Sequence, residues 1–167
     1  MTIWVVDTNV AVVANGRDTH ASEACQLRCI EMLEEIRDKN VIAIDESGCI
    51  LDEYHKELNF SGQPNVGDSF YKYVFDNQLV PDRVHRISIQ RTTCGASFEE
   101  FPDDDTLEGF DSDDRMFVAV ALAHPERPRI LNAVDTDWAC YHAALSKHGV
   151  RIEYLCPEHT APAERGK

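Results

Sequence analysis

Short apolar runs alternate with segments of helical periodicity along this chain, and the alternation constrains the fold more than any other feature. Residues 2–6 read as a buried strand, and residues 20–38 as a helix in which Ala24, Cys25, Leu27, Ile30, Met32, Leu33 and Ile36 recur near helical spacing. Residues 41–44 form a second strand. A helix over 48–59 follows, striped by Ile50, Leu51, Tyr54 and Leu58; Phe70, Tyr73, Val74 and Leu79 mark another that ends before Pro81. In residues 84–89, His85, Arg86 and Ser88 alternate with apolar neighbours, which suits an edge strand. After an acid-rich stretch from Phe98, read as a solvated, mobile loop, the pattern resumes. A helix runs from about 114 to 123 and is stopped by His124-Pro125. Strand 129–134, helix 138–148 closed by Gly149, and strand 151–155 complete the series. Strands and helices in this order imply a three-layer α/β/α sandwich around a mostly parallel sheet. The 167 residues fit one domain, residues 1–156, with a loose tail over 157–167.

A parallel sheet aligns the carboxyl ends of its strands along one edge, so acids placed just after strands meet in one crevice although far apart in sequence. Asp7 ends the first strand, Glu53 lies just past the second, and Asp114 opens the helix after the acid-rich loop. Asp135 follows the strand at 129–134, with Asp137 two residues on. Each has an ordinary structural use. Asp7 and Asp135 can cap helices, a role worth about 1 kcal/mol; Asp114 can face a helix dipole; Glu53 can be a solvated helical acid. Together, however, several carboxylates in one crevice call for a cation. Oxygen ligands select Mg²⁺ or Mn²⁺, and with those ions the expected chemistry is hydrolysis of a phosphate ester by water. Asp45, Glu46 and Asp52 compete with Glu53, and Asp113 competes with Asp114. The apolar stripe of the second helix favours Glu53, and Phe117 and Ala121 favour Asp114 as the start of theirs.

These segments, Ile3-Trp4-Val5-Val6-Asp7-Thr8-Asn9, Ile50-Leu51-Asp52-Glu53, Asp114-Arg115-Met116-Phe117-Val118-Ala119-Val120-Ala121 and Ala133-Val134-Asp135-Thr136-Asp137-Trp138, resemble in order the four acidic motifs of the PIN-domain nucleases, from residue 3 to about residue 155. The resemblance implies a PIN-like fold and a Mg²⁺- or Mn²⁺-dependent endoribonuclease, in toxin–antitoxin or RNA-processing roles. It implies Asp7, Glu53, Asp114 and Asp135 as catalytic metal ligands, with Asp137 as a further ligand and Asn9 in support. Single-stranded RNA would be the substrate and an antitoxin a possible protein partner. One departure is Ala133, where family members often carry Thr or Ser two residues before the fourth acid.

Other classes fare worse. No glycine-rich turn follows the first strand, as a dinucleotide binder needs. An aspartyl phosphatase commonly wants a second Asp where Asn9 stands, and residues 103–114 do not meet the EF-hand pattern. A catalytically silent PIN-like protein-binding subunit is the main non-enzymatic alternative. The balance of 30 acids against 16 Lys and Arg, a formal charge of −14, repels a polyanion at long range and argues against a dedicated nucleic-acid module. Lys56, Lys72, Arg83, Arg86 and Arg91 are the candidate phosphate contacts. The six cysteines contain no CxxC pair, and no signal peptide or long apolar run is evident, so the reading is a cytoplasmic protein with reduced thiols and no membrane association. Cys25 and Cys29, at i and i+4 on one helix, read as buried thiols, with a soft-metal site the alternative.

Overall fold

Five strands form one all-parallel sheet in the order β3-β2-β1-β4-β5: β1 Ile3–Val6, β2 Val41–Asp45, β3 Val84–Ile87, β4 Arg129–Asn132 and β5 Ile152–Tyr154. The computed structural model describes residues 1–18 and 20–161. The central strands are apolar because both faces are covered: Val5, Val6, Ile42, Ala43, Ile44, Ile130 and Leu131 are all buried. Ile3 pairs with Val41 on one side of β1, and Val5 with Ile130 on the other. The half-polar β3 lies at an edge, as its alternation requires.

Among the described residues eight α-helices connect and cover the sheet: α1 Thr8–Ala14, α2 Glu23–Lys39, α3 Cys49–Glu57, α4 Val66–Asn77, α5 Arg115–Ala123, α6 Thr136–Cys140, α7 His142–Lys147 and α8 Pro157–Thr160. The Ser22 hydroxyl caps α2 by accepting from Cys25 N at 3.1 Å. Asp45 is buried at the end of β2, and its carboxylate accepts from the backbone of Cys49 and Ile50, both at 2.8 Å, to start α3. α1, α2 and α4 pack together, while α5 lies across β1, β2 and β4. With right-handed crossovers this puts α1 to α4 on one face and α5 to α7 on the other, the three-layer α/β/α arrangement. No helix among the described residues is long and apolar enough to cross a membrane.

Several local readings change. Strand 129–134 stops at Asn132, because the Asn132 side chain turns back to bond the backbone N–H and C=O of Asp135. The helix read over 138–148 is two short ones, since Asp135 caps a helix that starts at Thr136. The acid-rich stretch is not simply a solvated loop: Phe98, Phe101, Leu107 and Phe110 are buried. The Arg115 guanidinium holds the carbonyls of Leu107, Glu108 and Phe110 and sits 4.6 Å from the Phe101 ring centroid. The expectation of reduced thiols throughout is overturned, because Cys25 of α2 and Cys156 form a disulfide; Cys29, Cys49, Cys94 and Cys140 are free. The stretch from Pro157, read as loose, opens with α8, and residues 162–167 lie outside the described part.

One glycine fixes how α4 meets α1. A Cβ on Gly67 would stand 2.1 Å from Ala11 O and 2.8 Å from Asn15 Oδ1, so only glycine permits this approach. At the same point the Asn15 side chain accepts from Gly67 N and donates to the buried Asp68 carboxylate, which also receives the N–H groups of Asn59 and Asn65. Gly67→Ala should therefore force the two helices apart. The expected cost is about 1–3 kcal/mol, as for overpacking elsewhere, read as a lowered midpoint in urea unfolding; an unchanged midpoint would mean that the helices separate freely.

Candidate metal centre at the carboxyl edge

The strand order reverses at β1: its chain leaves toward α1 on one face, whereas neighbouring β4 leaves toward α6 on the other. A crevice opens at such a reversal, beyond the strand ends. Asp7 follows β1, Asp135 lies just beyond β4, and Asp114 precedes α5, which lies across the middle of the sheet. One carboxylate oxygen from each of these three acids lies within 4.8 Å of the other two.

Asp7 is 4 % exposed. Its Oδ1 accepts from Asn9 N at 3.0 Å, capping α1, and its Oδ2 accepts from the Trp138 indole N–H at 2.7 Å. Asp135 likewise caps α6 through Asp137 N at 2.9 Å. The capping role and the cluster role thus coexist, because a carboxylate has about four lone-pair positions and a cap bond occupies one. Asp114 differs. It stands at the start of α5 without making any side-chain cap bond.

Burial, opposed in part by the bonds from Asn9 and Trp138 and reinforced by the Asp135 charge, pushes the Asp7 carboxyl up to about 6. Asp114 is pushed up to about 9, first by burial and then by the charges of Asp7, Asp135 and Asp111 and by its hydrogen bond with Asp135. Like charges this close cannot all ionise without a counter-charge. A divalent cation supplies one, and the donor set is all oxygen, as Mg²⁺ or Mn²⁺ prefers. A further polar atom is near in sequence: the Thr8 hydroxyl, next after Asp7, is buried with no hydrogen-bond partner among the described residues.

The other expected residues take separate places. Asn9 is not in the cluster but ties its two halves together. Its Nδ2 donates to Asn132 Oδ1 at 2.9 Å, and its Oδ1 accepts from Ala133 N at 2.9 Å and Val134 N at 3.2 Å, anchoring the turn that carries Asp135 to the end of β1. Asp137 borders the group, and its carboxyl is raised by burial and by the charges of Asp135 and Asp111. Glu53 is not one of the three; it bonds Lys56 at 3.1 Å, one turn along α3. Asp52 and Asp113, the competing neighbours, are exposed and also outside the three. Ala133 is buried and presents only its N–H, to Asn9. Sequence reasoning missed Trp138 as the partner of Asp7 and Tyr54, whose hydroxyl bonds Val6 O at 2.6 Å. An indole or phenol in an apolar stripe gives no signal in sequence of the acceptor it will meet.

The candidate phosphate contacts also divide. Arg83 precedes β3 and so lies at the opposite edge of the sheet, bonded to Asn77. Lys72 lies on α4, 5.1 Å from the Phe60 ring centroid. Arg86 donates to Glu46 O beyond β2, and Arg91 reaches Cys49 Sγ at the start of α3, which leaves these two and Lys56 nearer the carboxyl edge. The chain has no match to a protein-family model, to a curated protein or to a solved structure.

Three outcomes follow from this geometry. Asp7 and Asp114 hold protons in the folded state that the unfolded chain has lost above its ordinary carboxyl value of 3.8, so metal-free stability should fall as pH rises from about 4 through about 6 and toward about 9. Asp114→Asn removes a charge without removing a cap. In chelator it should raise the melting temperature at pH 8 and leave it little changed at pH 4; a uniform loss at both values would make Asp114 a structural residue. Trp138→Phe keeps the ring's bulk but withdraws the donor from Asp7. Loss of such a supporting bond typically costs about 10–100-fold in metal affinity, measurable by Mn²⁺ calorimetry, and no change would detach Trp138 from the site.

Proposed function

We propose that this chain is a Mg²⁺- or Mn²⁺-dependent endoribonuclease of the PIN type. The observation that carries the reading is the convergence of Asp7, Asp114 and Asp135 at the reversal of the sheet, where burial and neighbouring charge raise the carboxyls of Asp7 and Asp114. Asp7, Asp114 and Asp135 would hold the cation, with Asp137 at its border. A bound cation would supply Lewis acidity toward a phosphate oxygen and lower the pKa of an attacking water.

The chain's own groups would orient that reaction. Asn9 fixes Asp135 relative to Asp7 by bonding the β4 turn, and Trp138 fixes the Asp7 carboxylate, so neither acid must be ordered when substrate arrives. No covalent enzyme intermediate is needed, since the nucleophile is water. Lys56, which pairs with Glu53, would contact the phosphates of a single-stranded RNA together with Arg86 and Arg91. The formal charge of −14 favours a basic partner, such as an antitoxin or an RNA-processing subunit, that supplies further contacts.

The decisive experiment pairs Mn²⁺ calorimetry with cleavage of single-stranded RNA. The chain should bind Mn²⁺ and cleave, and Asp114→Asn should lower the rate by about 100-fold or more, near 2.7 kcal/mol of barrier, while remaining folded. Binding without cleavage would turn the reading toward a silent, protein-binding member of the same fold. Absence of Mn²⁺ binding would remove the metal centre altogether.

A further inference from the structure

A second group of metal-ligating side chains lies away from the carboxylates, where α2 meets α8. Cys25 and Cys29 stand one turn apart on α2, and Cys156 immediately precedes α8. One sulfur from each lies within 4.8 Å of the other two, and all three residues are fully buried. A disulfide uses two sulfurs, so the pairing of Cys25 with Cys156 gives no reason for a third thiol at the same point. Three residues past Cys156 stands His159, whose ring Nε2 accepts from Ser22 N at 3.1 Å, one turn before Cys25. Arg28 pairs with Glu158 across the same two elements.

The geometry points to a zinc site in the reduced protein, exclusive of the disulfide, in which Cys25, Cys29 and Cys156 supply three thiolates and His159, which lies outside that group of three and bonds Ser22 N, turns in as the fourth ligand. The ligands come as two short pairs, Cys25-x₃-Cys29 on a helix and Cys156-x₂-His159 at a helix start, the arrangement of closed structural zinc centres, which are tetrahedral and buried. Sulfur and imidazole select a softer ion than the carboxylates do, so the two centres would not compete for the same cation. Three thiolates and a neutral imidazole leave the complex with one negative charge, beside which the Arg28 guanidinium stands.

The interchange balances. A dithiol reductant delivers two electrons and two protons to the Cys25–Cys156 bond, leaving two thiols and becoming a disulfide itself. Zn²⁺ then displaces the protons of the three thiols, and a tetrahedral site needs the sulfurs only to separate from bonding distance. Either state ties the C-terminal helix to α2. The oxidised tie is covalent, while the reduced one depends on the metal.

Cobalt titration of the full chain, reduced with a phosphine and freed of metal by chelator, tests this. The reduced protein should develop a thiolate-to-cobalt charge-transfer band that saturates at one ion per chain and disappears on adding Zn²⁺, and the oxidised protein should not. Carboxylates give no such band, so the result is independent of the Asp7, Asp114 and Asp135 centre. Cys29→Ser should keep the disulfide under oxidation, which verifies folding, yet lose band intensity, and His159→Gln should keep the band but bind more weakly. No band in the reduced chain, an unchanged band in Cys29→Ser, or unchanged affinity in His159→Gln would overturn the assignment.

Discussion

The arrangement depends on one unfavourable act, the placing of Asp7 in a nearly water-free position at the end of the central strand. An ionised carboxylate there must find donors or give up its charge. It finds two, the Asn9 backbone and the Trp138 indole, and their directions dictate much of what surrounds them. The first starts α1 immediately after β1. The second requires that α6, whose Trp138 is 131 residues later in the chain, bring its indole against the same carboxylate, so that the ends of β1 and β4 are joined through a polar bond as well as through the ladder.

Around this bond the neighbouring polar groups fall into a connected set. Asn9 satisfies the Ala133 and Val134 N–H groups, which leave the ladder where β4 ends, and donates to Asn132. Asn132 in turn closes the turn at Asp135, whose carboxylate opens α6. Buried networks of this kind are costly when half satisfied. Here the N–H groups of Ala133, Val134 and Asp135 are satisfied, while the Thr8 hydroxyl has no partner among the described residues and the repulsion among the clustered carboxylates can be met by a cation. The stability of the edge and its chemistry therefore draw on the same residues.

The acidity of the chain has a corresponding spatial order. Some acids serve as caps, as Asp45 and Asp68 do; some lie on the exposed parts of the 98–114 segment, whose aromatic residues are buried; and three meet in the crevice. Of the cations beside these acids, Lys56 is already paired with Glu53 and Arg115 is held by the carbonyls of Leu107, Glu108 and Phe110. Net charge alone describes none of these distinctions, because it averages over groups whose surroundings differ in dielectric and in partners.

The layer architecture and the convergence of Asp7, Asp114 and Asp135 on one edge were legible in the sequence, since apolar periodicity sets element type and parallel strands put their carboxyl ends together. What sequence could not decide was which acids point inward. Glu53 and Asp114 look alike as helix-borne acids beside a competing neighbour, yet Asp114 joins the cluster while Glu53 pairs with Lys56, a choice made by where α3 and α5 pack around the strands. The same holds for the cysteines. Cys25 and Cys29 announce a common helix face by their spacing, but the sulfur they meet comes from Cys156, and only the docking of the C-terminal helix brings it there. Local spacing determines a side chain's face; its partner from a distant segment is settled by how the elements pack.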